Sequence, residues 1–201
     1  MTHHLHINFL SEKLLYRCKH ASLKKERLAR AMGCHPREHP TIIDATAGLG
    51  RDSLILASLG FHIILIERSP ILHGLLANAM EKASEHPLLS PVIKRMQLIH
   101  ANAIDWIPKH PFPDIIYLDP MFPERKKSAS VKKEMVMLQD ILGKEADADE
   151  DQLFNVALTC ATRRVVVKRP RLAEYLSAKK PGFSLMGKSS RFDIYLTQPK
   201  R

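Results

Sequence analysis

The sequence predicts an α/β domain built on a mostly parallel sheet with helices on both faces and a C-terminal antiparallel hairpin. Three observations carry this. Short runs of β-branched and aliphatic residues alternate with amphipathic segments from Thr41 onward, the pattern of strand–helix–strand units. A glycine-rich turn, Asp44-Ala45-Thr46-Ala47-Gly48-Leu49-Gly50, follows the first of these runs. Two further runs end in an acid, at Glu67 and Asp119, where open α/β sheets place their chemistry.

The elements follow in order. Phe9 to Met32 reads as a basic amphipathic helical region, with Leu10, Leu14, Leu15, Leu28 and Met32 near helical spacing and with Gly33 and Pro36 at its end. Residues 1–40 are therefore expected to form a basic helical extension, and residues 41–201 the main domain. Thr41–Asp44 is a short strand and Arg51–Leu59 a helix. His62–Ile66 is a strand, and the helix after it runs to about Ser84. Gln97–His100 and Asp114–Leu118 are strands. Val131–Leu142 and Asp149–Thr162 are helical. Arg164–Lys168 is a strand, and Ser184–Met186 with Phe192–Thr197 forms the closing hairpin.

Composition narrows the function classes. Of 201 residues, 45% are apolar, enough for one sizeable core. The apolar runs are too short to cross a bilayer, and the N-terminus has no continuous apolar stretch of the secretory kind. The three cysteines, Cys18, Cys34 and Cys160, are scattered and odd in number, which argues against a disulfide framework and suits the reducing cytoplasm. His3, His4 and His6, and Cys34 with His35 and His39, lack the paired spacing of a zinc module, so no metal is expected. Lys plus Arg number 31 against 21 Asp plus Glu, a formal charge of +10, which favours a polyanionic partner.

The chemistry gathers at three places. Gly48 and Gly50 let the chain turn sharply and bring a ligand close to the backbone. Arg51 and Asp52 stand at the start of the next helix, where they are placed to meet a carboxylate and an amino group. Glu67 ends the second strand twenty-three positions after Asp44, and an ionised carboxylate there can accept both hydroxyls of a ribose. Asn102 and Ala103 follow the third strand and can face an adenine edge. Ile115 to Pro123 reads Ile-Ile-Tyr-Leu-Asp-Pro-Met-Phe-Pro. Asp119 and the Pro120 carbonyl can accept N–H groups from an exocyclic amine, and Phe122 can stack on a planar base. Acid, glycine turn, second acid and Asp-Pro-x-Phe, in this order, point to methyl transfer from S-adenosylmethionine to an amino group. A dinucleotide site is disfavoured because Ser53 stands where that fingerprint needs its third small residue. Beside the motif, Arg125, Lys126, Lys127, Lys132 and Lys133 are placed for phosphates, and Lys168 and Arg169 could extend that patch.

The segments 44–52, 67–68, 117–123, 127–129, 131–135, 164–170 and 191–195 resemble the bacterial small-subunit ribosomal RNA guanine-N2 methyltransferase J family. The resemblance covers roughly residues 5 to 197. It implies a Rossmann-like class I methyltransferase fold and S-adenosylmethionine as cofactor. It also implies methylation of N2 of a guanosine in 16S ribosomal RNA, with that RNA or the small subunit as partner. By it, Arg51, Asp52, Glu67, Arg68, Asn102, Ala103 and Asp119 fall at cofactor-binding positions. Two other readings stay open on the residues alone: an amino-group methyltransferase acting on DNA or protein, and a non-catalytic RNA-binding module.

Overall fold

The structure is a computed structural model and describes residues 6–120 and 149–197. Seven strands form one sheet: β1 (Ile42–Asp44), β2 (Ile63–Glu67), β3 (Met96–His100), β4 (Ile115–Leu118), β5 (Arg164–Pro170), β6 (Phe183–Met186) and β7 (Ser190–Leu196). Their order is β3-β2-β1-β4-β5-β7-β6. The first five are parallel, and β7 runs antiparallel between β5 and β6. β1 pairs with both β2 and β4, so the strand order reverses there and opens a crevice at the carboxyl ends of the two.

Strand residues alternate between two cores, as side chains on a pleat must. Ile42, Ile63, Leu65, Ile115, Tyr117, Val166 and Ile194 face one core. Ile43, Ile66, Ile116, Leu118, Val165, Val167 and Tyr195 face the other. Because both faces are covered, the central strands read as unbroken apolar runs rather than as alternating ones. Helices α1 (Glu12–His20), α2 (Arg27–Met32), α3 (Arg51–Ser58), α4 (Pro70–Ser84) and α5 (Ser90–Ile93) supply the first core. α6 (Ala103–Trp106) and α7 (Glu150–Cys160) supply the second.

The sequence expectation of one helical region over Phe9–Met32 resolves into two helices. Ala21 is extended, and the Ser22 carbonyl accepts the N–H groups of Lys25 and Glu26, which turns the chain. An Arg17–Glu26 ion pair at 2.8 Å then ties α1 to the start of α2. Ile7, Phe9, Leu28 and Met32 belong to the same core as β1, β2 and α3, so residues 6–40 pack into the domain. The strands begin or end within about two residues of expectation. The expected helix Val131–Leu142 lies outside the described residues.

The C-terminal hairpin is held by a buried ion pair. Arg191 Nε donates to both carboxylate oxygens of Asp193 at 2.9 and 3.1 Å, and the Ser184 hydroxyl donates to the same group at 2.5 Å. Arg191 also donates to the Pro170 and Arg171 carbonyls, which fastens the segment after β5 to the hairpin. Among the described residues, no helix is long and apolar enough to cross a membrane, and no group of three or more His, Cys, Asp or Glu could hold a metal ion. The three cysteines are free thiols.

Candidate active site

The turn after β1 stays bonded to β4 after leaving the sheet. The Ala45 N–H donates to the Tyr117 carbonyl at 3.0 Å, and the Asp119 N–H donates to the Thr46 hydroxyl at 2.7 Å. Asp44 is buried behind this turn, where its carboxylate accepts the Thr46 N–H and, at 2.5 Å, the Ser53 hydroxyl. Burial pushes the Asp44 carboxyl up to about 7, against the pull of those two donors. Asp44 therefore shapes the turn from behind.

The two glycines do different work. Both are left-handed, with φ of 51° at Gly48 and 66° at Gly50. A Cβ on Gly50 would come within 2.6 Å of Leu76 and 3.1 Å of Phe9, so this glycine lets the core close beneath the turn. A Cβ on Gly48 would meet only the Thr46 carbonyl, at 3.7 Å, and would project into the cleft.

Glu67 fastens the other side. One carboxylate oxygen accepts the Gly48 N–H and the other the Ser69 N–H, each at 2.8 Å. Ser69 then caps α4 by accepting the Leu72 N–H, and Pro70 fits the first helical position. One side chain thus ties the glycine turn, the end of β2 and the start of α4 together. Asn102 caps α6 through its side-chain oxygen, which accepts the Ile104 N–H at 3.0 Å, and Ala103 begins that helix.

An open cleft lies at the carboxyl ends of β1, β2 and β4. Thr46, Gly48, Glu67, Arg68, Asn102, Ala103, Asp119 and Pro120 line it, with Ile66, Leu72 and Leu153 as apolar wall. Arg68 also pairs with Asp149 across the opening, at 3.1 Å. Asp44, Gly50, Arg51 and Asp52 stand outside this lining, and Arg51 is exposed at the start of α3. Phe122, Arg125, Lys126, Lys127, Lys132 and Lys133 lie outside the described residues.

Beside the cleft sits a charged cluster whose members the sequence assigns to separate tasks. Lys168 Nζ lies 2.7 Å from Asp52 Oδ2 and 2.7 Å from Asp119 Oδ2. The Tyr117 hydroxyl donates to the same Asp52 oxygen at 2.7 Å. For Asp52, burial acts to raise the pKa, but the Lys168 charge and the Lys168 and Tyr117 hydrogen bonds outweigh it and leave the carboxyl below its usual range. For Asp119, burial wins over Lys168, and the nearby Asp52 charge adds to it, so that carboxyl sits above its usual range. Burial acts to lower Lys168, yet its two carboxylates more than offset this and hold it protonated.

Two RNA-contact expectations are corrected here. Lys168 points into the site and not to an outer phosphate patch. The Arg169 side chain is buried and donates to the Glu174 carbonyl at 2.9 and 3.1 Å. Successive strand residues point to opposite faces, so neither continues a surface stripe. Sequence reasoning also passes over Thr46, Ser53 and Tyr117. Each is an ordinary residue type whose role appears only when β1, α3 and β4 meet.

Known proteins share both this sequence and this fold. A family model described as "Putative SAM-dependent methyltransferase" matches residues 1–197. A relative from Thioalkalivibrio sulfidiphilus named ribosomal RNA small subunit methyltransferase J is 47% identical over 196 residues, covering 96% of this chain and 76% of its own length. One of the same name from Pseudomonas aeruginosa is 44% identical over 193 residues, covering 94% and 72%. The chain belongs to the ribosomal RNA small subunit methyltransferase J family.

It is thus a SAM-dependent methyltransferase. The crystal structure of a SAM-dependent methyltransferase from Neisseria gonorrhoeae superposes with a TM-score of 0.77 at 34% identity, covering all of this chain and 78% of that one. An RNA methyltransferase from Salinibacter ruber in complex with S-adenosyl-L-homocysteine shares the fold, with a TM-score of 0.54 at 12% identity over 87% of this chain and 90% of its own. The Rossmann-like class I fold expected for methyltransferase J members is the one observed. The cleft also fits the cofactor: the space at Gly48 is one a side chain would fill, and the lining combines a carboxylate, an amide and an apolar wall.

Two outcomes follow for this methyltransferase. Glu67→Ala should weaken binding of S-adenosylhomocysteine by about 1–3 kcal/mol, the scale of losing charge-assisted hydrogen bonds. Isothermal titration calorimetry measures this, and unchanged affinity would remove Glu67 from cofactor binding. Asp44 titrates near 7 in the fold against an ordinary 3.8. The stability gained from its protonated form is therefore complete below pH 3.8 and is lost as pH rises towards 7. Asp44→Asn should gain stability relative to the parent across that window and hold the gain above it. Urea unfolding at several pH values tests this, and a difference constant with pH would contradict the raised titration.

Proposed function

We propose that the chain transfers a methyl group from S-adenosylmethionine to the exocyclic N2 of a guanosine in 16S ribosomal RNA, giving 2-methylguanosine. The carrying observation is Asp119 at the carboxyl end of β4, facing the cleft beside Pro120, with one carboxylate oxygen engaged by Lys168 and the other available. The names of the relatives support the RNA substrate, since they are methyltransferases of small-subunit ribosomal RNA.

When bound, S-adenosylmethionine supplies an electrophilic methyl group on a sulfonium. The side chains do the rest. Glu67 keeps a spare lone pair on each oxygen after accepting its two backbone N–H groups, and these meet the ribose hydroxyls. Asn102 spends its oxygen on the helix cap, so its NH₂ group, with the Ala103 backbone, faces the adenine edge. Arg51 and Asp52, at the start of α3, would serve the methionine end, and Arg68 lines the cleft. Guanine N2 is a weak nucleophile because its lone pair is delocalised into the ring. Asp119 and the Pro120 carbonyl accept its two N–H groups and turn the lone pair to the methyl carbon, a gain of positioning. Phe122 stacks on the base once it has left its helix.

The docking of a polyanion is supported by charge near this site. Lys13, Lys19, Lys24, Lys25 and Arg27 are exposed on α1, α2 and the turn between them. Arg17 of α1 is near enough to Asp52 to lower its pKa. Arg27 lies beside Gly187, in the β6–β7 turn at the same end of the sheet.

Nucleoside mass spectrometry of 16S ribosomal RNA treated with the enzyme should reveal 2-methylguanosine. Another modified nucleoside, or methylation of DNA or protein in its place, would overturn the reading. Replacing Lys13, Lys19, Lys24 and Lys25 with glutamine should flatten the dependence of RNA affinity on salt by about 0.7 in the log–log slope for each phosphate no longer neutralised. The same replacement at Lys126, Lys127, Lys132 and Lys133 should do likewise. Fluorescence anisotropy across a salt series reads both, and a slope equal to the parent's would leave those lysines as solvated surface.

A further inference from the structure

We propose that Lys168 is a positioning residue for methyl transfer: its ammonium, anchored by Asp52, holds Asp119 ionised and turned so that one carboxylate oxygen faces the nucleophile. This rests on the reading that Asp119 receives the substrate amine. Lys168 arrives from β5, Asp119 from the end of β4 and Asp52 from the first turn of α3. The ammonium sits 2.7 Å from one oxygen of each carboxylate. Tyr117, on β4, donates its hydroxyl to Asp52 and fixes the far side of the anchor. The Thr46 hydroxyl accepts the Asp119 N–H and fixes its main chain. Asp119 is thus gripped at Oδ2 and at its backbone, and Oδ1 is the atom left for substrate.

The charges around Asp119 come from several elements. Lys168 on β5 favours the ionised form, and Asp52 on α3 opposes it. Asp44 on β1 and Tyr117 on β4 also feel the Asp119 charge, and Arg17 on α1 acts on Asp52. Burial alone would leave Asp119 prone to bind a proton, and a protonated carboxyl presents fewer acceptor sites. Lys168 is the positive group in contact with it among the described residues.

The step balances without a proton from Lys168. The N2 lone pair forms the bond to the methyl carbon, and the carbon–sulfur bond breaks with its electron pair going to sulfur, leaving a neutral thioether. The proton lost from N2 passes to Asp119 Oδ1 and on to water. Lys168 stays an ammonium throughout, stabilising the carboxylate before and after.

The test is the pH profile of kcat for methylation of 16S ribosomal RNA by the full-length enzyme. Lys168→Met should lower kcat at neutral pH by about 100-fold, the scale of a misplaced catalytic group, and its acidic limb should move up by about 1–3 pH units, the effect of removing an opposite charge in contact. Lys168→Arg keeps the charge and should keep the limb near the parent's. Asp52→Asn removes the opposing negative charge and should move the limb down. A purely structural lysine would not produce shifts of opposite sign in two neighbouring variants. Thermal unfolding of each variant, and S-adenosylhomocysteine binding of the two Lys168 variants, confirm that the profile is read on folded protein. If the parent yields 2-methylguanosine while Lys168→Met and Asp52→Asn both keep the parent profile, the inference falls and the functional reading stands. If the parent yields none, both fall.

Discussion

The site depends on hydrogen bonding that outlasts the strand carrying it. β1 is three residues long and fully buried, yet it pairs with β2 on one side and β4 on the other. Where its ladder stops, Ala45 and Thr46 go on bonding to Tyr117 and Asp119. Those two bonds set the spacing between the glycine turn and the Asp-Pro motif. Without them the turn would be a surface loop, and the cleft and the Asp119 carboxylate would move independently. Glu67 adds the third point by holding Gly48 to the end of β2.

The architecture is legible in the sequence because its signals are local. Apolar runs bounded by turns, and the glycines Gly48 and Gly50 at left-handed positions after β1, are written along the chain. Glu67, Asn102 and Asp119 stand out for the same reason: each closes a strand, and the ends of parallel strands converge. Arg169 and Lys168 mark the limit. Lys-Arg-Pro reads as a surface charge run until the register sets Lys168 opposite Phe192 and Arg169 opposite Arg191, and both side chains then turn inward to partners that the charge run itself does not reveal. The break between α1 and α2 is hidden in the same way. Their apolar positions fit one helix, and only the packing of Leu14 and Cys18, then Leu28 and Met32, on a shared core requires two.

The charge cluster shows how a basic protein arranges an acidic centre. Two carboxylates and one ammonium leave a local excess of negative charge, set within a chain of formal charge +10. On the proposed function the long-range field would draw in a polyanion while the short-range field at Asp119 would suit an amine. The two act over different distances, so they coexist.

The packing of Phe9 beneath Gly50 carries a consequence for how the molecule comes into being. Ile7 and Phe9, among the earliest described residues, share one core with Phe192 and Ile194, among the last. A core shared by Phe9 and Ile194 cannot be completed until the chain between them has been synthesised, and contacts so far apart in sequence are slow to form. Until β7 has emerged and slotted between β5 and β6, the nascent chain has neither its finished core nor a firm bed for the glycine turn.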